Sequence, residues 1–254
     1  MMSGQMPPTI VLLHGFTNTG RSWNGVVREL PGHESLAPDI RGHGDAADRR
    51  PVTLDAVIAD VGELAPETFT LVGYSMGGRI ALHVAFALPE RVHGLVLIGA
   101  SPGLRDASAR AHRRAADERL AAQAERETIA EFADRWARTP VLADQTEAVR
   151  AAVDADRRRN DPAGLAAALR GLGTGALPSL WPRLGELTMP VELVVGARDS
   201  KFRATAEQMA QSMPDARLTV VADAGHAVHW EAPNAVAAVI AADRSATRRA
   251  VYAP

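Results

Sequence analysis

The chain has no cysteine, which excludes disulfides, thiolate nucleophiles and Cys-ligated metals. Lysine is nearly missing: the 28 Lys and Arg residues comprise 27 arginines and the single Lys201. Codon bias in a GC-rich genome explains that ratio, but not why the one lysine follows so soon after Asp199. No charge sign dominates, since 28 basic residues face 30 acidic ones for a formal net charge of −2. That balance gives no reason to expect nucleic acid or an anionic membrane as partner. No apolar run exceeds strand length, whereas a membrane span needs about 20 residues. The opening MMSGQMPP lacks the basic and apolar regions of a secretory signal. Phosphate loops, dinucleotide fingerprints and clusters of metal ligands are also missing, so no cofactor is expected. The expectation is a cytoplasmic protein, monomeric or a small homo-oligomer.

What remains is ordinary for a globular domain. At 254 residues with 46% apolar content, the chain can bury one large core. Short apolar runs at 9–13, 34–38, 69–73, 94–99, 191–196 and 217–221 end in glycine or turn residues. They do not alternate with polar residues, as befits strands covered on both faces in a parallel sheet. Helical stretches between them point to a doubly wound, mostly parallel α/β fold, whose active sites form beyond the C-terminal strand ends. The alternation stops at 101–189, a stretch rich in Ala, Arg, Asp and Glu that reads as several helices. We assign 1–100 and 190–245 to the core, 101–189 to an inserted helical cap and 246–254 to a polar tail. The alternative of a separate helical domain lacks a Gly/Ser/Pro linker on either side.

The sharpest local signal is Gly73-Tyr74-Ser75-Met76-Gly77, set between a strand run and a helical one. A Gly-x-Ser-x-Gly elbow needs that strand–turn–helix context, with glycines where backbones must pass closely. A serine hydroxyl stays inert until a base takes its proton and an acid orients the base. Of the eight histidines, His226 lies in a loop just after the last strand run. His229 is the rival, favoured instead as a wall or supporting residue. Asp199 follows the penultimate strand run, while Asp223, nearer the histidine, reads as a turn residue. An oxyanion site requires two backbone N–H groups, here expected from Met76 and from Phe16. His14 and His43 read as loop architecture, and His33, His83, His93 and His112 as surface or packing residues.

In kind and in chain order, Ser75, Asp199 and His226 resemble the triad of the α/β-hydrolase superfamily over essentially the whole chain. This implies an α/β-hydrolase fold. Gly73–Arg79 (GYSMGGR) joined with Gly196–Phe202 (GARDSKF) is similar to a narrower family, the 2-succinyl-6-hydroxy-2,4-cyclohexadiene-1-carboxylate synthases (SHCHC synthases) of menaquinone biosynthesis. The segments SPGL at 101–104, RAHRRAADERL at 110–120, GLGTGALPSLW at 171–181 and GHAVHWE at 225–231 fit the same family. The resemblance implies elimination of pyruvate from a cyclohexene polycarboxylate, with the serine, assisted by histidine, removing a proton and no acyl-enzyme forming. It also implies Arg79, Arg113 and Arg157 as anchors for a small anionic carboxylate substrate, Trp136 as an apolar wall and Tyr74 as a polar neighbour. Arginine suits bidentate capture of carboxylates. Arg110, Arg114 and Arg158 compete in register with those assignments, and Lys201 and Phe202 read as supports of the acid loop. Two other readings stand beside the elimination. One is a hydrolase of an ester, thioester or C–C bond acting through an acyl-serine; the other is a non-enzymatic binding protein, which would normally have lost a triad member.

Overall fold

The β-branched and leucine-rich runs form six strands: β1 (Thr9–Leu13), β2 (Ser35–Leu36), β3 (Phe69–Tyr74), β4 (Val92–Ile98), β5 (Val191–Gly196) and β6 (Ala216–Val221). The computed structural model describes residues 8–139 and 145–242. The expected tail, the first residues and 140–144 of the expected cap lie outside them. The strands make one parallel sheet in the order β2-β1-β3-β4-β5-β6. Two expectations need adjusting. The 34–38 run pairs only at Ser35 and Leu36, because it is an edge strand and Pro38 has no N–H for the ladder. The 94–99 strand begins two residues earlier, at Val92.

Side chains alternate between the two sheet faces, and both faces are covered. Val11, Leu13, Leu71, Leu95, Leu97 and Leu193 point into one core with helices α2 (Leu54–Leu64), α3 (Met76–Ala87) and α8 (Ser200–Ser212). Ile10, Leu12, Val72, Val96, Ile98 and Val194 point into the other, against α1 (Asn24–Arg28), the short α9 (Val228–Glu231) and α10 (Pro233–Ala241). This two-sided burial is why the strand runs carry no polar alternation.

Between β4 and β5 the chain makes α4 (Ala107–Ala124), α5 (Ile129–Trp136), α6 (Glu147–Arg157) and α7 (Pro162–Leu172). Their starts are written locally. Asp106, Thr128, Thr146 and Asp161 each accept a backbone N–H as N-cap, Thr128 and Glu131 form a capping box, and Pro162 sits in the first turn of α7. These helices have their own small core of Ala121, Ala124, Phe132, Leu165, Ala166 and Leu169. Burying Phe132 fully contributes about 2–3 kcal/mol. Phe16, on the loop after β1, packs against both this cluster and the main core. Among the described residues no helix is long and apolar enough to cross a membrane.

Candidate active site

The β3–α3 junction forces Ser75 to φ 50° and ψ −106°. A non-glycine residue reaches positive φ only under strain that its surroundings must hold. Part of that hold is the Ser75 N–H, which donates to Ile98 O at 2.9 Å. The flanking glycines are steric requirements. A Cβ on Gly73 would lie 2.5 Å from Gly77 O, and one on Gly77 would lie 2.2 Å from Leu13 O. Ser75 therefore stands at the C-terminal end of the sheet with the N-terminal amides of α3 beneath it.

His226 Nε2 lies 3.1 Å from Ser75 Oγ, and His226 Nδ1 lies 2.6 Å from Asp199 Oδ2. A carboxylate can only accept, so Nδ1 carries the ring proton and Nε2 accepts from the serine hydroxyl. Asp199 is fixed by a second duty. As N-cap of α8, its Oδ1 accepts the Phe202 N–H at 3.2 Å. The His226 ring is flanked by Phe202 and Tyr74, with centroids 4.5 and 5.3 Å away. The Lys201 ammonium lies 5.5 Å over the Phe202 ring. The loops carrying acid and base are tied together: Glu231 Oε2 accepts from both Gly225 N–H and Arg198 Nη2, and Arg198 N–H donates to Ala224 O.

The rival residues sit elsewhere. His229 is buried against Tyr74 and Trp23, with centroids 4.1 and 4.8 Å away, and burial lowers its pKa to about 3. Asp223 is at φ 56° in a turn. His14 donates from Nδ1 to Gly15 O and accepts the Ile40 N–H at Nε2, both at 2.9 Å. Complete burial brings its pKa to about 4, so it is neutral near pH 7. His43 packs edge-on against His14 and Phe16, and burial pushes its pKa well below the ordinary value. Both histidines shape loops. As the first residue of α3, Met76 has an N–H without an acceptor inside the helix. Among the described residues, the Phe16 N–H donates to no loop carbonyl.

The arginines separate by environment. Arg79 is 7% exposed, its Nη2 donates to Leu172 O at 3.3 Å, and its Nε has no partner among the described residues. Burial first, then the nearby charge of Arg113, pulls its pKa down to about 10. Arg113 donates from Nε to Asp117 Oδ1 at 2.7 Å, one turn along α4. Arg157 is 2% exposed, with Nε unpartnered among the described residues and Nη1 3.5 Å from Asp154. Its pKa is lowered chiefly by burial, and its charge reaches the Tyr74 hydroxyl. Burial raises the Tyr74 pKa, keeping the phenol protonated. The register competitors are already committed: Arg110 to the Leu104 and Arg105 carbonyls, Arg114 to Ala176 O, and Arg158 to Asp134 and Asp154. Trp136 is half-buried, stacked on Phe132 and 5.1 Å from Phe16.

Sequence reasoning missed several residues around this site. Asp117 was legible as the i+4 partner of Arg113. Asp156 and Asn160 flank the arginine run, yet their partners are Thr17, Thr19 and Gly44 on core loops. No local pattern announces such contacts.

A family model described as "Alpha/beta hydrolase family" matches residues 10–239. A 2-succinyl-6-hydroxy-2,4-cyclohexadiene-1-carboxylate synthase of Salmonella schwarzengrund (strain CVM19633) is 38% identical over 237 residues, covering 90% of each chain. One from Enterobacter sp. (strain 638) is 36% identical over 242 residues, covering 92% of this chain and 90% of that one. The solved structure of MenH from S. aureus superposes with a TM-score of 0.87 at 26% identity, covering 94% of both chains. The chain belongs to the alpha/beta hydrolase family and, within it, to the family of the 2-succinyl-6-hydroxy-2,4-cyclohexadiene-1-carboxylate synthases.

Proposed function

We propose that this protein eliminates pyruvate from a cyclohexene polycarboxylate (SEPHCHC), giving 2-succinyl-6-hydroxy-2,4-cyclohexadiene-1-carboxylate. The observation that carries the reading is a hydrogen-bonded Ser75–His226–Asp199 set beside two buried arginines, Arg79 and Arg157, with N–H groups left unspent. Arg157 has only a long 3.5 Å pair with Asp154, and Arg79 has no carboxylate partner among the described residues; such burial is costly, and an anionic substrate supplies what is lacking.

The product name places the succinyl group on a ring carbon that belongs to the diene. A proton leaving that carbon comes from beside the succinyl ketone, so negative charge develops on the ketone oxygen. In the proposed cycle His226 Nε2 takes the Ser75 Oγ proton, and the freed oxygen removes the ring proton. The electrons shift into the ring, the C–O bond to the leaving group breaks, and His226 gives its proton to the departing enolate, which becomes pyruvate, while Ser75 keeps the proton taken from the ring. The developing oxyanion is received by the N–H groups of Phe16 and Met76, where one donor is worth about 10²–10³ in rate. Arg79, Arg113 and Arg157 bind carboxylates, Tyr74 borders them and Trp136 supplies an apolar wall. The helices of residues 101–189 serve as a cap over the site, on a core formed by 1–100 and 190–245.

The test is a pyruvate-release assay on the cyclohexene substrate beside a panel of short-chain aryl esters. Release of pyruvate that Ser75→Ala abolishes is the expected result. Robust ester hydrolysis without pyruvate release would move the assignment to an acyl-serine hydrolase, since the same triad serves both reactions.

A further inference from the structure

The loop from Phe16 to Gly20 leaves β1 in a conformation it does not favour on its own. Thr17 is β-branched, 2% exposed and at φ 68°, an unfavourable left-handed setting for such a residue. Three partners hold it from outside. The Asp156 carboxylate at the end of α6 accepts two hydrogen bonds from Thr19, at 2.9 Å from N–H and 2.5 Å from Oγ1. The Asn160 amide donates to Thr17 O at 2.9 Å and to Arg157 O at 3.0 Å, while its Oδ1 accepts the Gly44 N–H at 3.1 Å. On the far side Asp39 accepts the N–H groups of Gly20 at 2.6 Å and Asp45 at 2.7 Å.

We propose that Asp156 and Asn160 are positioning residues that set the 16–20 loop so that the Phe16 N–H points at the reacting oxygen. This rests on the oxyanion role proposed above. Among the described residues Asp156 has no ion-pair partner, is 4% exposed and spends its charge on one threonine. Burying a carboxylate that way costs more than a neutral side chain would. The gain is a pair of short, charge-assisted bonds that hold a strained loop to a narrow range of positions. Arg157 lies between the two residues in sequence, so the helix end that presents this guanidinium also fixes the loop.

The test measures kcat and KM separately, with thermal melts. Asp156→Asn keeps the shape but removes the charge that strengthens both bonds, leaving an amide oxygen for the Thr19 N–H and an NH2 that the Thr19 hydroxyl must turn round to accept. We expect kcat to fall about ten-fold or more with KM within about three-fold, because an oxyanion contact acts in the transition state. Thr19→Val, which removes the Oγ1 donor together with a long 3.3 Å contact from the Arg21 N–H, should lower kcat in the same direction, and Thr19→Ser, which keeps both, should retain wild-type kcat. Asp156→Asn combined with Thr19→Val should be no worse than Asp156→Asn alone, since both disturb one interaction. Should Asp156→Asn not fold, Thr19→Val and Asn160→Ser carry the test. Lowered melting temperature with kcat within two-fold, or a loss confined to KM, would overturn the proposal. If the wild type releases no pyruvate, the substrate reading fails instead, and the same comparison is made on whichever aryl ester it hydrolyses.

Discussion

Replacing Arg79 by methionine should cripple the enzyme while leaving the fold as stable or more so. The guanidinium is 7% exposed and holds one long hydrogen bond, to Leu172 O at 3.3 Å. Its pKa falls to about 10, first through burial and then through the nearby Arg113 charge. At about 1.4 kcal/mol for each tenfold change, burial together with the Arg113 charge costs the ionised form on the order of 3 kcal/mol. Methionine fills similar space without the charge, so part of the penalty is recovered. Replacing a buried charge by an apolar residue is often neutral or stabilising by about 1–4 kcal/mol. At roughly 2–4 °C per kcal/mol, melting should shift between zero and about +16 °C. The substrate carboxylate would lose a buried charged partner, a loss of about 2–5 kcal/mol, or roughly 30- to 4,000-fold in kcat/KM. Calorimetry and pyruvate-release kinetics on one preparation read both quantities. A variant that melts well below the wild type while keeping kcat/KM within three-fold would instead mark Arg79 as a structural residue.

Asp199→Asn should lower kcat by about two orders of magnitude or more through loss of His226 orientation. Its melting temperature should barely move in calorimetry, because Asn is as good an N-cap for α8. Gly77→Ala puts a Cβ 2.2 Å from Leu13 O and should cost more than about 3 kcal/mol, read as a lowered urea midpoint with activity lost. Stability should also fall with acid. His14 and His229 titrate near 6.5 when unfolded but only near 4 and 3 when buried. Their contribution is therefore complete above pH 6.5 and lost as pH falls toward 4 and 3, at about 1.4 kcal/mol per pH unit for each. Urea melts from pH 7 to 4.5 with an unchanged midpoint would contradict this.

The sheet was legible because its signal is local. Six β-branched runs became six strands, and the two edges, β2 and β6, departed most from full burial because each has one neighbour. The elbow was legible for the same reason, since Gly73, Ser75 and Gly77 are constrained by one turn. The arginines were not. Arg110, Arg113 and Arg114 lie within about one helical turn, and the packing of α4 decides which of them meets Asp117 near Arg79. The contact of Asp156 with Thr19 spans 137 residues and joins two helix-and-loop termini of ordinary composition. Such pairings are set by how the helices settle on the core, a tertiary choice without a periodicity to read.

In the proposed cycle Ser75 acts as a base relay in an elimination and is not acylated. Intact-protein mass spectrometry on samples quenched during turnover of the cyclohexene substrate tests it directly. We predict one pyruvate released per substrate consumed and a protein mass unchanged throughout. A mass adduct on Ser75 that forms and decays at the rate of turnover would contradict it.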